Sequence, residues 1–236
     1  MVKESSKFLF GALVLLVLMP SVCLAAGEPQ PLWIYESTDA GVALYHQQDA
    51  AEGLLPFKAV AELDSASEQI VLALLEAEQK PLWAPKLKGT TVHATVAPNR
   101  FQYSEYYTTP WPFKDREFLL LGTITRQGET IVFSAVDAPD RHYRDDRHVQ
   151  ANIHELTFAV IPLATNRTRV EFTFSGDLGG WIPDFVQEII QKRWPVRFIQ
   201  ALQGYLRNNT LDESERYRLL EKVLAYDQRE SVALVD

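Results

Sequence analysis

At 236 residues with 47% apolar content, the chain can bury one substantial core, and its length suits one domain plus a tail. A net charge of −8 argues against nucleic acid as a partner, because phosphate binding needs clustered Lys and Arg, and it leaves membrane attraction to local or apolar features. The single cysteine, Cys23, rules out a disulfide framework and a cysteine-ligated metal.

The N-terminus reads as an export signal spanning 1–25. Lys3 and Lys7 flank the apolar run from Phe8 to Met19, and Cys23-Leu-Ala25 supplies small residues for cleavage. Cleavage there removes two lysines and one glutamate, which takes the net charge from −8 to −9 and leaves no thiol. A bacterial periplasm is the expected destination. Two alternatives use the same segment: a lipid-modified Cys23, for which Val22 is a poor preceding residue, and an uncleaved anchor, for which the run is short.

Gly27 to Pro31 reads as a linker, followed by Trp33-Ile-Tyr35. A first strand is expected at Gly41–Gln47 and a second at Phe57–Leu63. The period then changes: Ile70, Val71, Leu74 and Leu75 share one face of a helix over 65–78, with Ser65 or Ser67 as its cap. Six strands follow, at His93–Ala97, Arg100–Tyr107, Glu117–Thr125, Thr130–Ala135, Asn152–Leu163 and Thr168–Gly176, so the sheet is large and antiparallel. Pro183–Asn208 has helical spacing through Phe185, Val186, Ile189, Ile190, Phe198, Ile199, Leu202, Tyr205 and Leu206, with Pro195 expected to kink or break it. Residues 209–236 read as a charged helical tail, solvated and partly amphipathic through Leu211, Leu219, Leu220, Val223 and Leu224, rather than a basic membrane anchor.

Two segments set Trp and Pro beside turns, Thr108-Thr-Pro-Trp-Pro-Phe-Lys-Asp-Arg-Glu-Phe118 and Asp177-Leu-Gly-Gly-Trp-Ile-Pro-Asp-Phe185. Both resemble motifs of the StAR-related lipid-transfer (START) domain: a Pro-Trp-Pro loop leading to an Arg-Asp pair, and an Asp-x-Gly-Gly-x-Ile-Pro start to the last long helix. The likeness covers about 33–208, and weaker matches at Arg147-His-Val-Gln-Ala151 and Thr168-Arg-Val-Glu-Phe-Thr-Phe174 keep the family's order. It implies an α+β helix-grip (START/Bet v 1-like) fold, a curved antiparallel sheet around a long C-terminal helix, with domain limits of 26–208. It also implies a lipid cavity covered by Trp111 and Phe113 from one segment and Trp181, Ile182 and Phe185 from the other. Arg116 matches the family arginine, whereas Glu117 replaces the usual Asp. Glu105 matches an acidic cavity position, but the cation some members place after the Arg-Asp pair is missing from Leu119-Leu-Leu-Gly122.

Hydrophobic transfer needs a long dry tunnel, because each buried methylene contributes about 0.8 kcal/mol. Phe101, Tyr103, Phe118, Phe133, Phe158, Phe172 and Phe174 are the strand aromatics from which such a wall can be built. Alternation alone does not separate a cavity wall from a filled core. Trp111 and Trp181 suit a lid or a transient membrane contact, against ordinary packing at a corner. Arg116 is read as a cation held by Glu117, Asp115 or backbone carbonyls, with a headgroup phosphate as the alternative. The cluster His142, Asp145, Asp146 and His148 has no standard zinc spacing and fits a solvated loop, so neither metal nor cofactor is expected. No nucleophile elbow, His-Glu-x-x-His or phosphate loop is present. The expected activity is therefore non-enzymatic binding and transfer of a lipid or other hydrophobic ligand by a monomer. Two alternatives remain: a cyclase- or hydrolase-type cavity enzyme using His93, His154 or Tyr103, and an envelope scaffold with a filled cavity and a partner-binding tail.

Overall fold

A computed structural model describes residues 32–48 and 56–233. The signal-like segment, Cys23 and the Gly27–Pro31 linker lie outside the described residues. Among those described, nine strands form one sheet: β1 (Trp33–Asp39), β2 (Val42–Gln47), β3 (Phe57–Leu63), β4 (Leu87–Ala97), β5 (Arg100–Tyr107), β6 (Arg116–Gln127), β7 (Thr130–Asp137), β8 (Val149–Ala164) and β9 (Arg167–Asp177). Their order across the sheet is β1-β2-β3-β9-β8-β7-β6-β5-β4. All neighbours are antiparallel, and one short parallel pairing sets Arg116–Phe118 beside Val149–Ala151.

Period-two alternation selects the inner face. Phe57, Ala59 and Ala61 lie opposite Phe174, Phe172 and Val170, while Phe158 lies opposite both Phe133 and Phe172. The first strand begins earlier than expected, at Trp33, so Val42–Gln47 is the second. β4 begins six residues before His93 because register irregularities at Leu87/Gly89, Val92/Ala94 and Thr95/Ala97 break the alternation.

Helix α1 (Ser67–Leu75) buries Ile70 through Leu75 and is followed by a 3-10 helix at Ala77–Leu82. The expected serine cap is absent. The chain enters α1 through extended Ala66 with no side-chain cap, and the Ser65 carbonyl instead accepts a 2.8 Å bond from the Thr168 hydroxyl on β9. Packing holds this end. The long closing helix is divided at the expected proline into α2 (Asp184–Lys192) and α3 (Trp194–Asn208), with Pro195 in the first turn of α3. α3 presses Phe198, Ile199 and Leu202 into the concave sheet, where Phe198 meets Phe172 at 5.2 Å and Phe158 at 5.6 Å between ring centres.

Helix α4 (Glu215–Ala233) corrects the reading of a solvated tail. Tyr217, Leu220 and Leu224 are buried in the common core, so that core extends beyond Asn208. Gln69 exchanges two hydrogen bonds with the Leu211 backbone, at 3.0 and 2.8 Å, and Arg126 holds both oxygens of Glu221 at 3.1 and 3.2 Å. The Arg216 guanidinium lies 4.2 Å from the Phe101 ring centre. A seam of three apolar side chains, Tyr217, Leu220 and Leu224, explains why a charged helix is retained here.

Candidate functional site

Between the inner face of the sheet and α2–α3 lies a cavity of about 270 Å³. Phe118, Ile153, Leu156 and Phe174 form its sheet wall, and Ile182, Val186, Ile190 and Trp194 its helical wall. Trp194 stands at the α2–α3 break and touches five aromatic rings, those of Phe57, Tyr107, Phe172, Phe174 and Phe198, at centre distances of 5.2 to 6.3 Å. It separates open cavity from filled core.

One end of the cavity is polar. Glu105 projects from β5 on the same face as Phe118 and is only 2% exposed. Its Oε1 accepts a 2.6 Å charge-assisted bond from Lys80 Nζ, and its Oε2 accepts a 2.9 Å bond from the Tyr107 hydroxyl. Lys80, 4% exposed on the 3-10 helix, thus supplies the cation that was missing after Arg116. Burial, reinforced by the Glu105 charge, pushes the Tyr103 and Tyr107 phenols well above their ordinary range, so both stay neutral, and Tyr107 is the one that donates to Glu105. A closed, internally neutral ion pair results.

The entrance is bound together by Arg116. Its Nη1 donates to the Lys114 carbonyl at 2.6 Å, while Nε and Nη2 donate to the Leu178 and Gly179 carbonyls, each at 3.3 Å. One guanidinium therefore bonds the backbones of both Trp-Pro segments, and burial lowers its pKa without removing its charge. Of the partners considered for Arg116, the carbonyls are the ones it holds. Glu117 points to the opposite face of the sheet. The aromatic parts of the segments also meet, with Phe113 and Trp181 at 5.8 Å. Gly179 and Gly180 both sit at φ +65°, and a Cβ on Gly179 would run into the Gln150 carbonyl. Asp177 Oδ1 accepts the Gly179 N–H at 2.8 Å, which fixes this turn.

On the outer face, fully buried Glu117 accepts from Ser104 Oγ at 2.7 Å, from the Asp145 N–H at 2.7 Å and from Gln150. His93 bonds Ser104 at 2.8 Å and stacks on Tyr143 at 4.5 Å. Burial lowers the His93 pKa, partly opposed by the Glu117 charge. This network fastens the 138–148 loop. No group of three or more His, Asp, Glu or Cys side chains among the described residues is arranged around a metal position.

The candidate residues separate into three groups. Glu105, Arg116, Ile182 and Phe185 line the cavity. Tyr103, Phe133 and Phe172 lie in the packed core, with Tyr103 and Phe133 closing over Gly122. Trp111, Phe113 and Trp181 lie off the wall, Trp111 being 92% and Trp181 77% exposed. Among the strand aromatics, Phe118 and Phe174 reach the cavity, whereas Phe101 and Phe158 do not. Of the residues considered for acid–base chemistry, His93 is on the outer face, His154 is exposed and Tyr103 lies in the packed core, so none of the three lines the cavity. Sequence reasoning missed Lys80 and Trp194. The Trp-Pro pair at 194–195 was a usable signal for the second, since a bulky ring at a helix break is fixed by its surroundings; Lys80 carried none.

The fold recurs in solved structures. Human StAR-related lipid transfer protein 5 is 16% identical, with 77% of this chain and 89% of that one covered and a TM-score of 0.68. A STAR-related lipid transfer protein fragment from Xanthomonas axonopodis is 20% identical, covering 74% and 98%, at a TM-score of 0.64. The Zhui aromatase/cyclase from Streptomyces sp. R1128 is 9% identical, covering 66% and 94%, at 0.50. No curated protein matches the chain in sequence. The START domain pattern itself matches residues 18–210, and the chain belongs to the START domain family.

Proposed function

We propose that this protein binds a lipid or other hydrophobic ligand in the cavity and transfers it without chemical conversion, after export to the periplasm. The observation that carries this reading is an apolar cavity of about 270 Å³ beneath two Trp-Pro segments joined by one guanidinium. Membership of the START domain family supports hydrophobic binding. The cyclase-type alternative shares the fold, but the cavity wall carries no histidine among the described residues. Exposed Trp111 and Trp181 suit a transient contact with the membrane during loading, because indole rings favour the lipid–water interface.

The test is native mass spectrometry of the mature protein isolated from its host envelope, followed by lipid analysis after denaturation. One hydrophobic molecule per chain supports carriage. A bare protein that also refuses added phospholipid, sterol-like molecules and fatty acids refutes it.

A further inference from the structure

Six side chains on the rim of the cavity are exposed: Lys86, Thr108, Pro110, Phe185, Ile189 and Arg197. Four are neutral and two are cations. Lys86 lies where the chain enters β4, and its carbonyl accepts the Thr108 N–H at 2.9 Å, which holds it beside the first Trp-Pro segment. Arg197 lies on α3, one turn beyond Trp194. Neither has an ion-pair partner among the described residues. Some other exposed cations are engaged: Lys88 with Asp115, Arg147 with Asp145, Arg167 with Glu62, Arg207 with Asp64 and Arg218 with Glu213. Arg100, Lys114, Arg141 and Arg193 are exposed with no ion pair among the described residues, and they do not line the cavity. What distinguishes Lys86 and Arg197 is their place: they are the exposed cations among the described residues that line the apolar opening, on a chain with 31 acidic and 23 basic residues.

The remaining charges of the cavity are already satisfied. Arg116 has its donors on three backbone carbonyls, and Glu105 is closed by Lys80 and Tyr107. An anion pushed to the Glu105 end would meet a carboxylate, whereas one left at the opening meets Lys86 and Arg197. The wall between is apolar, and the volume lies just below the range of about 300–1,000 Å³ usual for small-molecule pockets, which suits one chain better than two.

We infer that Lys86 and Arg197 form a rim subsite for the anionic head, carboxylate or phosphate, of a single-chain amphiphile whose tail fills the cavity. This deepens the cavity-binding reading and rests on it. The head stays hydrated on one side while the tail is desolvated, so binding needs no further buried charge.

The experiment compares dodecanoate, dodecyl phosphate and dodecanol as competitors for a fluorescent probe on the mature protein, at low salt and at about 0.5 M salt. Both anions are expected to bind about three- to twentyfold tighter than the alcohol at low salt, a preference that shrinks at high salt. The double variant Lys86→Gln/Arg197→Gln, checked for an unchanged melting curve, should bring the anion-to-alcohol ratio towards one. An alcohol that binds as tightly as the anions, or a ratio unchanged in the variant, overturns the subsite. So does an effect of the variant seen only on vesicles containing anionic lipid and not on the free amphiphiles, since the cations then serve a membrane surface. Failure of all three compounds to bind, the alcohol included, overturns the cavity reading itself.

Discussion

Replacing Lys80 by methionine tests whether the polar end of the cavity is the closed ion pair described above. Both partners are at least 95% inaccessible, and Lys80 Nζ lies 2.6 Å from Glu105 Oε1. The variant keeps most of the side-chain volume but leaves the Glu105 carboxylate buried with one donor, the Tyr107 hydroxyl. Breaking a buried pair from one side costs about 3–5 kcal/mol, because the surviving charge loses its compensation. For a chain of this size that is a fall of roughly 6–20 °C in melting temperature. The double variant Lys80→Met/Glu105→Gln removes both charges and retains an acceptor for Tyr107, so it should return to within about 1 kcal/mol of the parent. Denaturant unfolding of the four proteins in this cycle gives the coupling. A loss below about 1 kcal/mol for Lys80→Met, or a double variant no better than the single, would refute the reasoning: Lys80 would then be solvated, or Glu105 protonated without it.

Three further perturbations address the entrance and the outer face. Gly179→Ala forces a Cβ against the Gln150 carbonyl at a positive φ, and should cost about 1–3 kcal/mol, with faster amide exchange over residues 177–182; unaltered exchange would show that the turn yields freely. Arg116→Lys keeps the charge but cannot reach three carbonyls at once, so ligand transfer between vesicles should accelerate, and an unchanged rate would remove Arg116 from control of the entrance. For His93, the folded pKa is lowered from 6.5, so as pH falls through 6.5 the unfolded chain takes up the proton first and stability declines. His93→Gln should flatten stability against pH below 6.5, while the parent's slope persisting in the variant would assign it to another group.

Local pattern carried the element order a long way in this chain. Apolar alternation marked most of the sheet, and the change from period two to helical spacing marked α1 and the closing helices, because each depends on residues within a few positions. The helix break at Pro195 and the glycine turn before Trp181 follow from covalent geometry, and the pairing of the Trp-Pro segments followed from family resemblance. What needed tertiary structure was depth and partnership. Alternation puts Phe118, Phe133, Phe172 and Phe174 on one face, yet of these only Phe118 and Phe174 border open space, since that depends on how far α3 sinks into the sheet. The cation for Glu105 came from 25 residues upstream on an irregular turn, and the charged tail was drawn into the core by Tyr217, Leu220 and Leu224. Short-range periodicity determines which way a side chain points. What it meets there is decided by contacts between segments distant in the chain, whose energies exist only once the whole chain has closed.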